Sequence, residues 1–97
     1  ILMLLHEGEL DGVRVLRPES VQEFERPQFQ GEDDGEMIGL YIFLSGSAEH
    51  GHDGIEAGVS TEFRYNDEGD GAIVLCNADD ADTGALIEIL MAFPETE

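Results

Sequence analysis

The segment from residue 59 to residue 77 constrains the fold most, because its hydrophobic pattern is typical of two neighbouring strands. Apolar and polar side chains alternate along the first strand, which predicts one core face and one solvated face: Val59, Thr61, Phe63 and Tyr65 against Ser60, Glu62 and Arg64. Residues 66–71 favour positive φ and predict a hairpin connection. Residues 72–76 are apolar without alternation, which predicts a central strand buried on both faces.

Two helices are predicted from their start and stop signals. Pro18 opens one helix at its first position, and Arg26 and Pro27 end it. The last helix begins with Asp80 or Asp82 as its N-cap and runs to Phe93, before Pro94. The spacing predicts that the sheet largely covers this helix, with a core stripe that Ile87 and Met91 widen: Leu86, Ile89, Leu90 and Phe93.

The remaining segments are shorter. Residues 1–5 are typical of the end of a core helix, and Gly8 and Gly12 bracket a turn before an extended piece at residues 13–16. Residues 28–36 are polar and acidic and predict a mobile loop. Residues 38–44 predict a strand that the turn at residues 45–47 ends. Together these elements predict a single α+β domain over residues 1–97, with an antiparallel β-sheet and a C-terminal helix packed on it.

The charge of the chain excludes several partners. Twenty-three acidic and four basic residues give a net charge of -19, which disfavours nucleic acid and anionic membranes. The apolar fraction of 41% indicates a folded domain with an acidic coat rather than a disordered chain. The chain has no lysine, since all four basic residues are arginines. This composition is typical of adaptation to high salt, and the alternative is an ordinary acidic protein from a GC-rich genome.

Cysteine and the start of the sequence carry little functional information. Cys76 lies in an apolar run and is expected to be a small buried hydrophobe, without an intrachain disulfide. Residues 1–5 are too short for a membrane span and have no basic leader. The cellular compartment is left undetermined.

A set of short motifs follows one order along the chain. Residues 51–54 read Gly-His-Asp-Gly, residues 58–61 read Gly-Val-Ser-Thr, and residues 72–77 read Ala-Ile-Val-Leu-Cys-Asn. Upstream, residues 4–21 read Leu-Leu-His-Glu-Gly-Glu-Leu-Asp-Gly-Val-Arg-Val-Leu-Arg-Pro-Glu-Ser-Val, and residues 39–41 read Gly-Leu-Tyr. In order and spacing the chain resembles the C-terminal part of the serine β-lactamase and penicillin-binding-protein-like hydrolases. The resemblance implies the corresponding part of the β-lactamase/transpeptidase-like fold.

The catalytic motifs of that family are absent from this sequence. The nucleophile of the family lies in Ser-x-x-Lys, and this chain contains no lysine. The Tyr-x-Asn or Ser-x-Asn motif is also missing, because Tyr65 and Asn66 are adjacent. The resemblance therefore implies that the complete protein hydrolyses an ester, amide or β-lactam through an acyl-enzyme. It also implies that this chain is inactive alone. Whether this chain is itself an enzyme stays open.

The resemblance implies a substrate-binding wall on the strand that carries residues 51–54. His52 would be its polar side chain, Gly54 the point of close approach, and the backbone N–H of Ile55 the oxyanion donor. Asp53 departs from the small or hydroxyl residue usual there and disfavours carboxylate substrates. The alternative reading is structural: the glycines are turn and bulge positions, and His50 and His52 are surface histidines on an edge strand.

Two groups of residues partly match metal-binding patterns, and neither match is complete enough to predict a metal or another cofactor. His50 and His52 lie on one side of a strand, with Glu49 or Asp53 nearby, but the zinc-hydrolase spacing is incomplete. Residues 66–71 resemble the start of a calcium loop, but the twelfth position is Asn77 instead of Glu. A solvated hairpin tip is the simpler interpretation.

The expected partner is a second copy of the chain or a missing N-terminal region. A strand at residues 72–77 that pairs on one side alone exposes backbone groups and invites another strand. Either partner would cover that edge. A different class of function also fits the sequence: a stand-alone, non-catalytic acidic module for binding or assembly, adapted to salt.

Overall fold

The computed structural model describes residues 1–30, 36–40, 42–44 and 48–93. Within these ranges, three helices and eight strands form an α+β fold, as the sequence predicts. The helices are α1 (Leu2–Leu5), α2 (Pro18–Glu25) and α3 (Thr83–Met91). The strands are β1 (Glu9–Leu10), β2 (Val13–Arg14), β3 (Phe29–Gln30), β4 (Met37–Ile38), β5 (Phe43–Leu44), β6 (His50–Glu56), β7 (Val59–Tyr65) and β8 (Gly71–Cys76).

The strands form two antiparallel sheets. β1 and β2 make a small hairpin, and the other six follow one another across a sheet in the order β3-β4-β5-β6-β7-β8. Three long strands, β6 to β8, dominate this sheet and place His52 opposite Phe63, and Phe63 opposite Ile73. A two-residue turn joins β6 to β7, and its Gly58 has a φ of 80°, which suits glycine. The predicted antiparallel hairpin of β7 and β8 is confirmed.

Opposed residues of an antiparallel ladder share a face, so the register divides β6, β7 and β8 into two sets of side chains. The α3 face lies under helix α3 and carries Gly51, Asp53, Ile55, Ser60, Glu62, Arg64, Ala72, Val74 and Cys76. The histidine face lies opposite and carries His50, His52, Gly54, Glu56, Val59, Thr61, Phe63, Tyr65, Gly71, Ile73 and Leu75.

The alternation predicted for β7 is confirmed, but the predicted sides are wrong. Ser60 and Glu62 were expected in solvent, yet they are only 3% and 6% exposed because α3 covers them. On the supposed core face, Thr61 and Phe63 are only half-buried, and Tyr65 alone is buried. The sequence predicts the period of two along β7, but the position of α3 decides which face of β7 is buried.

The prediction of a strand buried on both faces at residues 72–76 is also wrong. β8 is the last strand of the sheet in the described part of the chain. Val74 is buried on the α3 face, whereas Ile73 and Leu75 on the histidine face are 53% and 77% exposed. An unbroken apolar run therefore marks an edge strand here, with one covered side.

Helix α3 begins where expected but turns a different side to the sheet. The Asp82 carboxylate accepts a hydrogen bond from the Ala85 N–H, which confirms it as the N-cap. Ile87 is fully buried, and Met91 is half-buried. The predicted core stripe is the exposed one, with side chains 42–68% exposed: Leu86, Ile89, Leu90 and Phe93. Because nearly every side of α3 is apolar, helical spacing did not identify the packed side.

The first half of the chain follows the prediction in part. α2 has the predicted start and end, and Arg17 at its N-cap makes no side-chain cap bond. Phe29 and Gln30 form strand β3 inside the expected loop, whose residues 31–35 lie outside the described residues. The strand expected at residues 38–44 is divided into β4 and β5, because the Gly39 N–H turns back to the Ile42 carbonyl at 2.7 Å. Residues 45–47 and Pro94 lie outside the described residues.

Candidate functional site

Strand β6 brings together the three residues singled out for a substrate-binding wall. His52 and Gly54 are two residues apart, so both lie on the histidine face, and both are exposed. The Ile55 side chain lies on the α3 face and is exposed as well. Only the backbone of Ile55 is relevant to the predicted role, so the direction of its N–H decides the geometry.

The Ile55 N–H points away from β7. A Cβ built on Gly51 would meet the carbonyl oxygen of Phe63, so that carbonyl points from β7 toward β6. Backbone groups of an antiparallel ladder alternate between its two sides. His52 and Gly54 therefore exchange hydrogen bonds with β7, and the N–H groups of Asp53 and Ile55 lie on the outer edge of β6. β5 pairs only with His50 and Gly51, so no described residue pairs with this edge at Asp53 or Ile55.

A cavity of about 400 Å³ lies on the histidine face beside His52 and Gly54. Its other walls are mostly apolar, and all but the first of these five residues come from β7 and β8: Ile1, Thr61, Phe63, Ile73 and Leu75. Asp53 and Glu62 also border the cavity, but the register turns their side chains to the α3 face. The space suits an uncharged, apolar group next to one imidazole.

Gly54 keeps the backbone of the cavity wall accessible. A Cβ at this position would lie 3.1 Å from the Thr61 hydroxyl oxygen and would project over the same face. The Thr61 hydroxyl lies 3.5 Å from the Gly54 carbonyl oxygen, to which it donates. Asp53, whose charge was expected to disfavour carboxylate substrates, directs its side chain to the face opposite the His52 imidazole. Its effect on a ligand in the cavity is therefore indirect.

No serine of the described residues faces the cavity. Ser60 lies on the α3 face, where its hydroxyl donates to the Ala78 carbonyl at 2.6 Å. Ser20 lies on α2 and not on the sheet. The described part of the site thus has a polar side chain, an accessible backbone and an N–H donor, without a serine nucleophile.

The arginines lie away from the cavity. The Arg64 Nε donates to the buried Glu62 carboxylate at 2.6 Å under α3, and its Nη1 lies 3.4 Å from Glu49. Arg26 pairs with Glu23 on the surface of α2 at 2.8 Å. Arg14 donates to the carbonyls of Glu7 and Leu16, and Arg17 precedes α2. None of these cations lines the cavity, which leaves His52 as its basic group.

A cluster of polar side chains lies at the other end of the histidine face, and the sequence did not predict it. His50, expected as a surface residue, is 8% exposed and packs on Tyr65 with ring centroids 5.2 Å apart. Its Nε2 lies 3.4 Å from both Glu25 and Asp67. The Tyr65 hydroxyl donates to the same Glu25 carboxylate at 2.9 Å. Burial, and then the bond to Glu25, raise the pKa of Tyr65 far above its ordinary value.

Local sequence carried little signal for this cluster, because Glu25 and Tyr65 are separated by 40 residues. His50 Nδ1 is buried and has no hydrogen-bond partner among the described residues. The cluster joins α2 and the turn after β7 to the sheet. His50 and His52 share a face, as expected, but one is buried and the other exposed, so they do not form a common site.

The two metal hypotheses gain no support from the geometry. The described residues contain no group of three or more His, Cys, Asp or Glu side chains placed to hold a metal ion. In the hairpin tip, the Asn66 side-chain oxygen accepts from the N–H groups of Glu68 and Asp70, both at 3.0 Å. This oxygen closes the turn.

Comparison with models of known protein families finds no match, and comparison with curated proteins finds none either. Among the described residues, no helix is long and apolar enough to cross a membrane.

Proposed function

We propose that this chain is the C-terminal segment of a β-lactamase-like serine hydrolase and supplies its substrate-binding wall. The nucleophile and its base come from a region outside these 97 residues. The observation that carries the proposal is the arrangement on β6: two exposed residues of one face, His52 and Gly54, next to an outward N–H at Ile55.

This arrangement suits a carbonyl group at the edge of a sheet. A carbonyl oxygen placed beside the outer edge of β6 accepts a hydrogen bond from Ile55, whose N–H has no described partner. A fixed backbone dipole lowers the free energy of a developing oxyanion with little reorganisation. Gly54 allows the acyl group to approach without a Cβ on the same face. His52 then lies beside the substrate as a hydrogen-bonding side chain.

The surroundings favour a neutral substrate with an apolar acyl group. The cavity next to His52 is lined largely by Ile1, Phe63, Ile73 and Leu75. No arginine lines it, and the chain has a net charge of -19. An anionic substrate would meet an unfavourable potential there, because no arginine of the described residues lies beside the cavity to balance its charge. Neutral esters and amides fit this site better than carboxylates.

The isolated chain should bind such a substrate without hydrolysing it. His52 and one N–H donor do not replace a covalent nucleophile with its base. The test is an NMR titration of the chain with hexanamide, a neutral carbonyl probe, and with hexanoate of the same length. We expect the Ile55 amide signal to move with hexanamide and much less with hexanoate.

Two proline variants separate the proposed donor from its neighbour. Ile55→Pro removes the donor, and Asp53→Pro removes another outward N–H on the same edge; proline is tolerated where the N–H does not join the ladder. Hexanamide binding should weaken at least several-fold in Ile55→Pro and change little in Asp53→Pro. Equal weakening in both variants, or turnover of a chromogenic ester by the pure wild-type chain, would contradict the proposal.

A second candidate function is a stand-alone acidic module for binding or assembly, without catalysis. The exposed apolar stripe of α3 favours it, since soluble domains seldom leave so many large apolar side chains in water. The titration separates the two candidates. A chain that does not bind hexanamide at Ile55 but does form a defined assembly would favour the module.

A further inference from the structure

We infer that two copies of this chain associate through the outer edge of β8 and the exposed stripe of α3, forming one continuous sheet with paired helices. This inference concerns the 97-residue chain and a different edge of the sheet from the Ile55 N–H, so the dimer test and the hexanamide titration can fail separately. It rests on the direction of the β8 backbone, the position of the stripe, the exposed apolar area and the distribution of charge.

The backbone of β8 offers donors and acceptors at alternate residues. Since the Phe63 carbonyl points toward β6, the neighbouring Arg64 and Glu62 pair with β8, opposite Ala72 and Val74. The N–H and C=O groups of Ile73 and Leu75 therefore point to the outer edge. No described residue pairs with this edge, and six residues are enough for another strand to add.

The apolar stripe of α3 lies on the side of the helix nearest this edge. A Cβ built on Gly84, at the start of α3, would lie within 4 Å of the Arg64 and Glu62 side chains, so this side of the helix faces β7. At 3.6 residues per turn, the stripe lies on the side of α3 away from Gly84. Its members are Leu86, Ile89, Leu90 and Phe93. Because α3 lies over β7 and β8, the side of the helix away from β7 is the side toward the outer edge of β8.

The spacing fits a two-fold pair. A second β8, antiparallel to the first, would lie about 4.8 Å away. α3 contacts both β7 and β8 and so lies above the space between them, which puts the two α3 axes about 10 Å apart, within the usual range for packed helices. With the two-fold axis at Val74, Ile73 of each copy pairs with Leu75 of the other, and the two stripes meet.

The exposed area is close to what a stable interface needs. Four stripe residues and two edge residues, Ile73 and Leu75, are 42–77% exposed. At roughly 200 Å² for a large apolar side chain in full contact with water, they expose roughly 700 Å², which approaches the ~800 Å² per partner of a standard interface.

Charge favours a second copy over other partners. β8 has no charged residue, and in α3 the single acidic side chain is Glu88, which the helical period directs away from the stripe. In a chain of net charge -19, this uncharged surface is where two copies approach with the least repulsion. High salt screens the remaining repulsion, so association should strengthen from low to molar KCl.

The first test is the mass of the full chain in solution, by light scattering over a range of concentrations in molar KCl. We expect a dimer at high micromolar concentration. Hydrogen exchange supplies an internal control: the amides of Ile73 and Leu75 should become protected as the dimer forms, whereas those of Ala72 and Val74 bond to β7 and stay protected throughout.

Three variants locate the interface. Leu75→Pro removes an outward N–H, and Leu90→Glu places a charge in the stripe, so each should weaken association about a hundredfold or more. Phe29→Glu changes an equally exposed apolar residue on the opposite edge of the sheet and should leave the dimer intact. Circular dichroism checks that each variant is folded.

Several results would overturn the inference. A folded monomer in molar KCl at high micromolar concentration would do so, whatever the exchange of Ile73 and Leu75. A dimer that survives both Leu75→Pro and Leu90→Glu would place the interface elsewhere. If Leu75→Pro fails to fold, Leu75→Lys tests the same edge residue with its backbone N–H retained.

Discussion

The two faces of the sheet formed by β6, β7 and β8 are covered in opposite ways. On the α3 face, polar side chains are buried: Glu62 and Ser60 lie under the helix with their hydrogen bonds satisfied by Arg64, Thr83 and the Ala78 carbonyl. On the histidine face, apolar side chains such as Ile73 and Leu75 remain largely exposed. The difference shows that burial in this protein follows the position of a covering helix rather than the hydrophobicity of each residue.

The polar side chains on the α3 face can be buried because they have hydrogen-bond and ion-pair partners. A buried carboxylate without a partner is strongly unfavourable. Here Glu62 receives the Arg64 guanidinium at 2.6 Å and the Thr83 hydroxyl at 3.0 Å. The exposed apolar side has no such compensation in the described residues, and it carries the proposed ligand cavity and two edge residues of the inferred interface, Ile73 and Leu75.

The largest expected effect comes from removing Arg64. Arg64→Ala leaves the Glu62 carboxylate buried with Thr83 alone and should lower the free energy of unfolding by about 3 kcal/mol or more. Urea denaturation measures this change in the free energy of unfolding. Arg26→Ala is the matched control, since it removes a similarly short ion pair on the exposed surface of α2 and should change stability little. Equal losses in both variants would show that the α3 face is not a closed polar interior.

Helix α3 has a buried side and an exposed side, so the next prediction compares one side chain from each. Ile87→Ala removes a fully buried side chain and should cost about 2 to 4 kcal/mol. Leu90→Ala, on the exposed stripe, should cost under about 1 kcal/mol. Both are measured by urea denaturation at low salt and low concentration, where the copies are separate. A larger loss for Leu90→Ala would mean that α3 packs with the stripe inward, as the sequence had suggested.

The smallest expected change in stability comes from Tyr65, which packs on His50 at the buried end of the histidine face. Tyr65→Phe removes the donor to Glu25 and should cost about 1 kcal/mol at neutral pH. In the folded chain the pKa of Tyr65 is raised above its ordinary value of about 10. The unfolded chain therefore loses this proton first, and the free energy of unfolding should fall as pH rises above 10.

The absence of lysine makes this pH test unusually simple, because few other groups titrate in that range. Thermal unfolding followed from pH 9 to pH 11 should show a steeper loss of stability in the wild type than in Tyr65→Phe. Tyr41 is present in both proteins and cancels in the comparison. Identical slopes would show that Tyr65 is not protected in the folded chain.

Part of the candidate site was predictable from the sequence. His52 and Gly54 are two residues apart on a strand, so their common face follows from the period of the strand alone. The outward direction of the Ile55 N–H required the register with β7, and the cavity required Ile73 and Leu75 of β8 to lie beside it. The cluster of His50, Tyr65 and Glu25 joins three separate elements, and no local pattern indicated it.

The sequence by itself determined the local elements: the ends of β7, the turn before β8, the start of α2 at Pro18 and an aspartate cap of α3, at Asp80 or Asp82. These depend on dihedral preferences and hydrogen bonds within a few residues. Only the tertiary structure decided which side of β7 is buried, which stripe of α3 packs and that one face of β8 stays exposed. Periodicity groups side chains on a face, but what lies against that face decides its burial, and this depends on contacts between residues far apart in the chain.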